Sequence, residues 1–131
     1  MDYNIISALE NLTPGASWSL PRNPNANSEY ERLVWHDENI QKPTEEEIVQ
    51  KAAELKYQEE VNEYQRQRAR EYPPYPDQFD KIFHSGVNAW KTQIRAIKDK
   101  YPKQTMDPDV LAERKRQALE DLEASRSSEE S

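Results

Sequence analysis

Lys42-Pro43-Thr44-Glu45-Glu46-Glu47-Ile48 decides how the rest of the chain is read. Pro43 biases Lys42 toward extended geometry. Thr44 supplies a hydroxyl for an orphan amide, and Glu47, at the N3 position, can reach back in the reciprocal arrangement of a capping box. Three successive carboxylates at the positive end of a helix dipole favour a start here, and good helix formers then continue to about Glu71 with no Gly or Pro. The spacing predicts one long helix over 45–71, about 40 Å at 1.5 Å per residue. Val49, Ala53, Tyr57, Val61 and Tyr64 form a narrow apolar stripe on it, with Ile48, Ala52 and Leu55 beside it over the first turns only. From Glu59 to Arg70 the residues are mostly Glu, Gln and Arg, so that end either projects into solvent or lies along another protein.

Upstream, Ile5, Leu9 and Leu12 recur at helical spacing, and Thr13-Pro14-Gly15 is a stop and turn signal. In Ala16-Ser17-Trp18-Ser19-Leu20 apolar residues alternate with Ser, the period of a strand with one buried face. Pro21 to Ser28 is rich in Asn and Pro and reads as a loop, after which Tyr30 to Trp35 offers a second strand and hence a β-hairpin. A lone hairpin is marginal, so Trp18, Leu20, Leu33 and Trp35 are expected to pack on the opening helix or the long one.

Downstream, Tyr72-Pro73-Pro74-Tyr75-Pro76 must break the long helix, because proline lacks the amide donor, and it reads as a stiff connector. Asp77 can cap a short helix carrying Phe79, Ile82 and Phe83 that ends at Ser85-Gly86, and Asn88 can cap the next. That next helix carries Trp90, Ile94, Ile97 and Tyr101 on one face and closes at Pro102, which makes residues 72–103 a connector plus helical hairpin. So small a hairpin should dock on the N-terminal part, on a second copy, or on a partner. Asp107-Pro108 can start a last helix, but Leu111, Ala118 and Leu122 leave a thin stripe among charges, so disorder or partner-dependent folding is expected there. Ser125 to Ser131 has the composition of a disordered terminus.

The expected fold is α+β, mainly α, divided as 1–44 (helix plus hairpin), 45–71 (long helix), 72–103 (connector and helical hairpin) and 104–131 (charged helix and partly disordered tail). One compact domain with appendages fits 131 residues. With 34% apolar against 33% charged residues the core must be small. No apolar run approaches the length of a membrane span, and the N-terminus lacks the pattern of a signal peptide, so a cytoplasmic address is expected. The absence of Cys rules out disulfides and thiolate metal sites. The net charge of -7 argues against indiscriminate binding of nucleic acid or anionic membrane. It is unevenly spread, since residues 77–103 hold six basic and three acidic groups.

Little in the sequence suggests catalysis. His36 stands beside Asp37 and Glu38, and Asp80 lies four residues before His84, but neither set has metal-ligand or acid–base spacing, and surface or capping roles explain them better. Gly15 and Gly86, the only glycines, cannot build a phosphate loop or a dinucleotide turn. The reading is therefore no enzyme and no cofactor. Lys91, Arg95, Lys98, Lys100 and Lys103, interleaved with Trp90 and Tyr101, are the one candidate patch for phosphate and base contact, though the face shared by Trp90, Ile94 and Ile97 favours core use. Pro73-Pro74-Tyr75-Pro76 contains a PxxP ligand pattern and is read as a connector. Asn11-Leu12-Thr13 matches a glycosylation acceptor, an accidental match without a secretory signal.

Two groups of words resemble small tail proteins of tailed bacteriophages and prophages, of the XkdW-like and tail-assembly-chaperone kinds. One is Trp18-Ser19-Leu20, then Leu33-Val34-Trp35-His36-Asp37, then Lys42 to Ile48, similar to tryptophan strands leading into a KPT-capped helix. The other is Tyr72-Pro73-Pro74-Tyr75-Pro76-Asp77-Gln78-Phe79-Asp80, then Trp90, then Ile97-Lys98-Asp99-Lys100-Tyr101-Pro102-Lys103, similar to a "YPxxxDQxD…W…KxxYPK" word. The chain departs from that pattern in its long Pro21–Ser28 loop, in Pro76 where a small residue is common, and in the extension after Lys103.

The resemblance implies a non-enzymatic part in tail building: a structural or adaptor subunit, or a chaperone for tail-fibre subunits. Partners would be tail or tail-fibre subunits, with a homo-oligomer left open, and the protein would work in the host cytoplasm during assembly or in the virion tail. Trp18, Trp35, Tyr57, Tyr64, Tyr72, Tyr75, Phe79 and Trp90 are the expected packing or contact anchors. The alternative is a small acidic regulator that binds a host protein or nucleic acid, motivated by the basic segment 91–103.

Overall fold

A computed structural model describes residues 3–130. The elements are α1 (Ile5–Leu12), β1 (Trp18–Ser19), α2 (Glu29–Arg32), β2 (Val34–Trp35), α3 (Glu45–Val61), α4 (Glu63–Glu71), α5 (Tyr75–Ser85), α6 (Val87–Lys100) and α7 (Pro108–Glu130). The protein is mainly helical with one small antiparallel hairpin, in which Trp18 pairs with Trp35 and Ser19 with Val34. It forms two compact units, one of residues up to Tyr57 together with those from Asp107, the other of residues 58–106.

The first unit is organised by the start of α3. The Glu47 amide donates to Thr44 Oγ1 (3.2 Å) and Glu47 Oε1 accepts from the Thr44 amide (3.3 Å), so the capping box forms in both directions. Thr44→Ala is expected to lower the unfolding free energy by about 1 kcal/mol, read as a lower urea midpoint at unchanged slope. Just before the cap, the Tyr30 hydroxyl donates to the Pro43 carbonyl (3.0 Å) and Lys42 Nζ sits 4.8 Å from the Tyr30 ring centroid. These contacts tie the entry of α3 to the hairpin.

Two adjacent faces of α3 are then covered. On one, Ile48 joins Ile5, Ala8, Leu9 and Leu33 in a core flanked by Trp18, Leu20, Tyr30, Trp35 and Ala52. This is the docking of hairpin on helices that the alternation of Trp18, Leu20, Leu33 and Trp35 predicts. On the other, Val49 packs with Ala118 and Leu122 of α7, with Ala53 and Leu119 alongside. The expectation of disorder or partner-dependent folding for the last segment is thus corrected: α7 is helical through Glu130, and its thin stripe finds its complement within the same chain. Ser131 lies outside the described residues.

Polar contacts supplement that thin stripe. The Asp107 amide donates to the Tyr57 hydroxyl (3.0 Å), and Lys115 Nζ lies 3.8 Å from Glu54 Oε1. Arg126 bridges Glu46 (2.7 Å) and the buried Glu45 (2.9 Å), and Glu45 also accepts from the Tyr3 hydroxyl (3.3 Å). Glu45 is therefore a buried charge with two partners, the condition under which such burial is tolerated. Burial and the nearby Glu45 carboxylate push the Tyr3 hydroxyl well above its ordinary range.

The hydrogen bond from Arg126 holds the Glu46 carboxyl below its usual value, and Lys51 followed by Lys115 does the same for Glu54. Asp37 is lowered by the backbone amides of Ser17, Ile40 and Asn39, which its carboxylate accepts. For each group the folded value lies below the unfolded one, so the unfolded chain binds more protons as the pH falls. The stabilisation is complete above the unfolded carboxylate range near pH 4 and is lost on titration through the lower folded values. The urea midpoint is expected to fall between pH 5 and pH 3, and Arg126→Ala to flatten that fall.

Several local expectations give way to side-chain capping. The second strand is shorter than the predicted Tyr30–Trp35, because Ser28 Oγ accepts from the Glu31 amide (3.3 Å) and Glu31 Oε2 from the Asn27 amide (2.8 Å), which winds residues 29–32 into a helical turn. Only Val34 and Trp35 remain to pair. The opening helix forms as expected, with the Asn4 carboxamide oxygen capping the Ser7 amide (3.0 Å) and Gly15 turning the chain at φ +77°.

In the second unit the expected single helix over 45–71 is interrupted at Asn62, whose carbonyl accepts from the Gln65 amide (3.0 Å) in a tighter i→i+3 turn. Asn is a poor helix former, and the polar sequence around it offers little packing to hold the regular ladder. The helix α5 starts at Tyr75 rather than after an Asp77 cap, with Pro76 in the first turn where its missing amide leaves no gap in the ladder. Helix α6 starts at Val87 directly after Gly86 (φ +85°), not at an Asn88 cap. The unit closes where Arg68 donates to the carbonyls of Tyr101 (2.8 Å) and Lys98 (3.2 Å).

Candidate functional site

The anchors predicted from sequence separate into interior and surface groups. In the first unit Trp18 and Trp35 are half-buried against the core, and Trp35 Nε1 donates to the Ile40 carbonyl (2.8 Å). Tyr57 is buried, with the Arg114 guanidinium 5.3 Å from its ring centroid. In the second unit Tyr64 is buried beneath Arg68, and Tyr72 is half-buried at the end of α4. Trp90 is half-buried and donates from Nε1 to Gln78 Oε1 (3.0 Å). Tyr75 and Phe79 stand on the surface, 75% and 66% exposed, and with them Phe83 (83%) and Val87 (48%).

These four exposed apolar residues recur every fourth position. Phe83 and Val87 are absent from the sequence-derived anchors, because Phe83 read as core of a short helix; its i, i+4 spacing from Phe79 was the available signal. Each aromatic side chain presents about 150–250 Å², so the uncovered part of Tyr75, Phe79 and Phe83 amounts to roughly 350–550 Å², the size of the largest and often functional patch on a monomer.

What lies beside the ridge follows from the helix geometry. Lys100 Nζ and the Tyr101 hydroxyl reach Glu71 Oε1 at 2.6 and 2.9 Å, so the end of α6 returns to where α5 begins and the two helices run antiparallel. The Lys100 ammonium, then the Tyr101 hydroxyl, hold the Glu71 carboxyl below its usual range. The Trp90–Gln78 bond places those residues, with Ile82 and Ile94 a turn along, on the facing sides. At about 100° per residue, Tyr75, Phe79 and Phe83 fall to one side of that line on α5, and Val87, Lys91, Arg95 and Lys98 to the corresponding side on α6. Corresponding sides of antiparallel helices share a face. An aromatic ridge thus runs beside a row of three exposed cations that make no ion pair among the described residues.

Charge follows the division into units. Residues 58–106 hold nine basic and seven acidic groups, a net of +2, whereas the rest of the chain holds nine basic and 18 acidic, a net of -9. The ridge belongs to the unit that is not acidic.

The histidines stand apart from this surface chemistry. Ser19 Oγ and His36 Nε2 are 2.8 Å apart on the hairpin, but the neighbouring carboxylate of Asp37 is occupied by three backbone amides. His84 is exposed and meets the Phe83 ring edge-on at 5.0 Å. No cluster of three or more His, Asp or Glu with metal-binding geometry lies among the described residues, and no described helix is long and apolar enough to cross a membrane.

Fold and surface together define a small, mainly helical protein whose second unit leaves an aromatic and cationic face uncovered. Comparison of the chain with family models, with curated proteins and with solved structures returned no match.

Proposed function

We propose that this chain is a non-enzymatic accessory protein of a bacteriophage tail, either a structural or adaptor subunit or a chaperone for tail-fibre assembly, acting through protein contacts. The observation that carries the reading is the exposed row Tyr75, Phe79, Phe83 and Val87. Burying such a row in water-excluding contact with another protein is strongly favourable, at about 25 cal/mol per Å² of apolar surface. The tail assignment is supported by the phage-like words around Trp18, Trp35, Lys42–Ile48 and Tyr72–Lys103, which include the start of α5 and so the ridge itself.

Mass spectrometry of purified virions, paired with co-purification from infected cells, tests the assignment. Stoichiometric presence in virions identifies a structural subunit. Absence from virions with recovery of fibre protein identifies a chaperone, and finding neither overturns the proposal. The exposed, unpaired Lys91, Arg95 and Lys98 favour a second reading, a small regulator binding a host protein or nucleic acid. A salt-sensitive complex with DNA or RNA, or a stoichiometric host partner in place of a tail subunit, would establish that instead.

A further inference from the structure

We propose that the face formed by Tyr75, Phe79 and Phe83 of α5 with Lys91, Arg95 and Lys98 of α6 is the docking site for an acidic amphipathic helix on a partner protein. This rests on the protein-contact reading above and names the class of partner.

The aromatic row supplies anchors at i, i+4 and i+8 along about two turns of helix, which matches the repeat of an apolar stripe on a helix laid against it. The three cations lie along one edge of that row on α6, spaced i, i+4 and i+7, with no carboxylate paired to them. A partner helix seated on the aromatics therefore brings one of its own flanks over Lys91, Arg95 and Lys98. Acidic residues there gain charge-assisted contacts, whereas basic residues meet like charge.

The occupant is not a helix from a second copy. The apolar stripes of the acidic helices in this chain are already covered: Ile5, Ala8 and Leu9 of α1, Ile48 and Val49 of α3, and Ala118 and Leu122 of α7 are all buried, and the exposed Ile6 and Val110 stand singly rather than as a stripe. Pairing two copies through α5 itself offers the three cations only Asp80, on the far edge of the ridge. Single-stranded nucleic acid would use the same stacking and charge chemistry, but Asp80 lines the far edge of the aromatics on α5 and repels a phosphate backbone there, while an acidic helix can place its charge on the α6 side alone.

The test is a fluorescence-anisotropy titration of the full-length chain with a labelled helical peptide carrying Leu at i, i+3, i+4 and i+7 and Glu on the flanks. The same peptide with Lys in place of Glu and a labelled oligo-dT serve as comparisons, and sedimentation of the chain alone reads self-association. The acidic peptide is expected to bind about ten-fold or more tighter than its Lys counterpart, and Phe79→Ser to weaken it by a similar factor. The triple change Lys91→Glu, Arg95→Glu, Lys98→Glu should reverse the preference. Phe79 is exposed, so a circular-dichroism spectrum and amide hydrogen-exchange protection of α5 and α6 unchanged in Phe79→Ser will show that the second unit remains folded.

No binding of the acidic peptide, equal binding of both peptides, tighter binding of oligo-dT, or self-association abolished by Phe79→Ser would each overturn the inference. None of these outcomes alters what virion composition says about the tail assignment, so the two proposals fail separately.

Discussion

Ile48→Ala should lower the unfolding free energy of the first unit by about 2–5 kcal/mol, the range for truncating a buried aliphatic side chain. Ile48 has no solvent exposure and is packed with Ile5, Ala8, Leu9 and Leu33, so the substitution leaves a cavity bounded by α1, the residue preceding β2, and α3 together. A domain of this size has only about 5–15 kcal/mol in all, and a core this small has few other large side chains to collapse into the gap. Urea denaturation followed by far-UV circular dichroism checks the loss. Ile6→Ala, at a position 47% exposed on the same opening helix, is the control and should change little. Equal effects at the two positions would mean that the core is not where Ile48 lies.

Leu122→Ala is the second large effect, with an expected loss of about 2–3 kcal/mol, and it discriminates between a docked helix and a loose tail. Leu122 is 4% exposed, with Ala118 and Val49 as its buried neighbours. Were residues after Met106 an unattached extension, the change would be silent. Removing residues 107–131 should go further, because it strips Val49, deletes the amide that donates to the Tyr57 hydroxyl, and leaves the buried Glu45 without Arg126. Hydrogen exchange is the more direct readout. Amides in the early turns of α3 should lose protection in the truncated chain, while those of α5 and α6, which belong to the other unit, should keep theirs.

Both predictions concern contacts that the sequence announces unequally. The capping box at Thr44 to Glu47 was fully legible, because its donors and acceptors lie within four residues and form whatever the rest of the chain does. The same holds for the opening helix and for the alternation that sends Trp18 and Trp35 to the core. A second local signal, Ser28 with Glu31, was equally available, and the aromatic and aliphatic run from Tyr30 to Trp35 masked it. Capping won there because only two residues of the run are needed for the hairpin.

What sequence determined by itself about this protein is therefore the helical class, the start of α3 and the pairing of the two tryptophan segments. Tertiary structure alone decided that α7 lies on the second face of α3, since a stripe as thin as Ala118 and Leu122 is stable only where Val49 and paired charges meet it across the chain. It alone also decided which aromatics are anchors within and which are offered outward. Tyr57, Trp90 and Phe79 carry the same apolar signal in sequence, and their difference lies in whether another helix happens to cover them. Burial is a property of two surfaces, and a sequence read residue by residue presents only one.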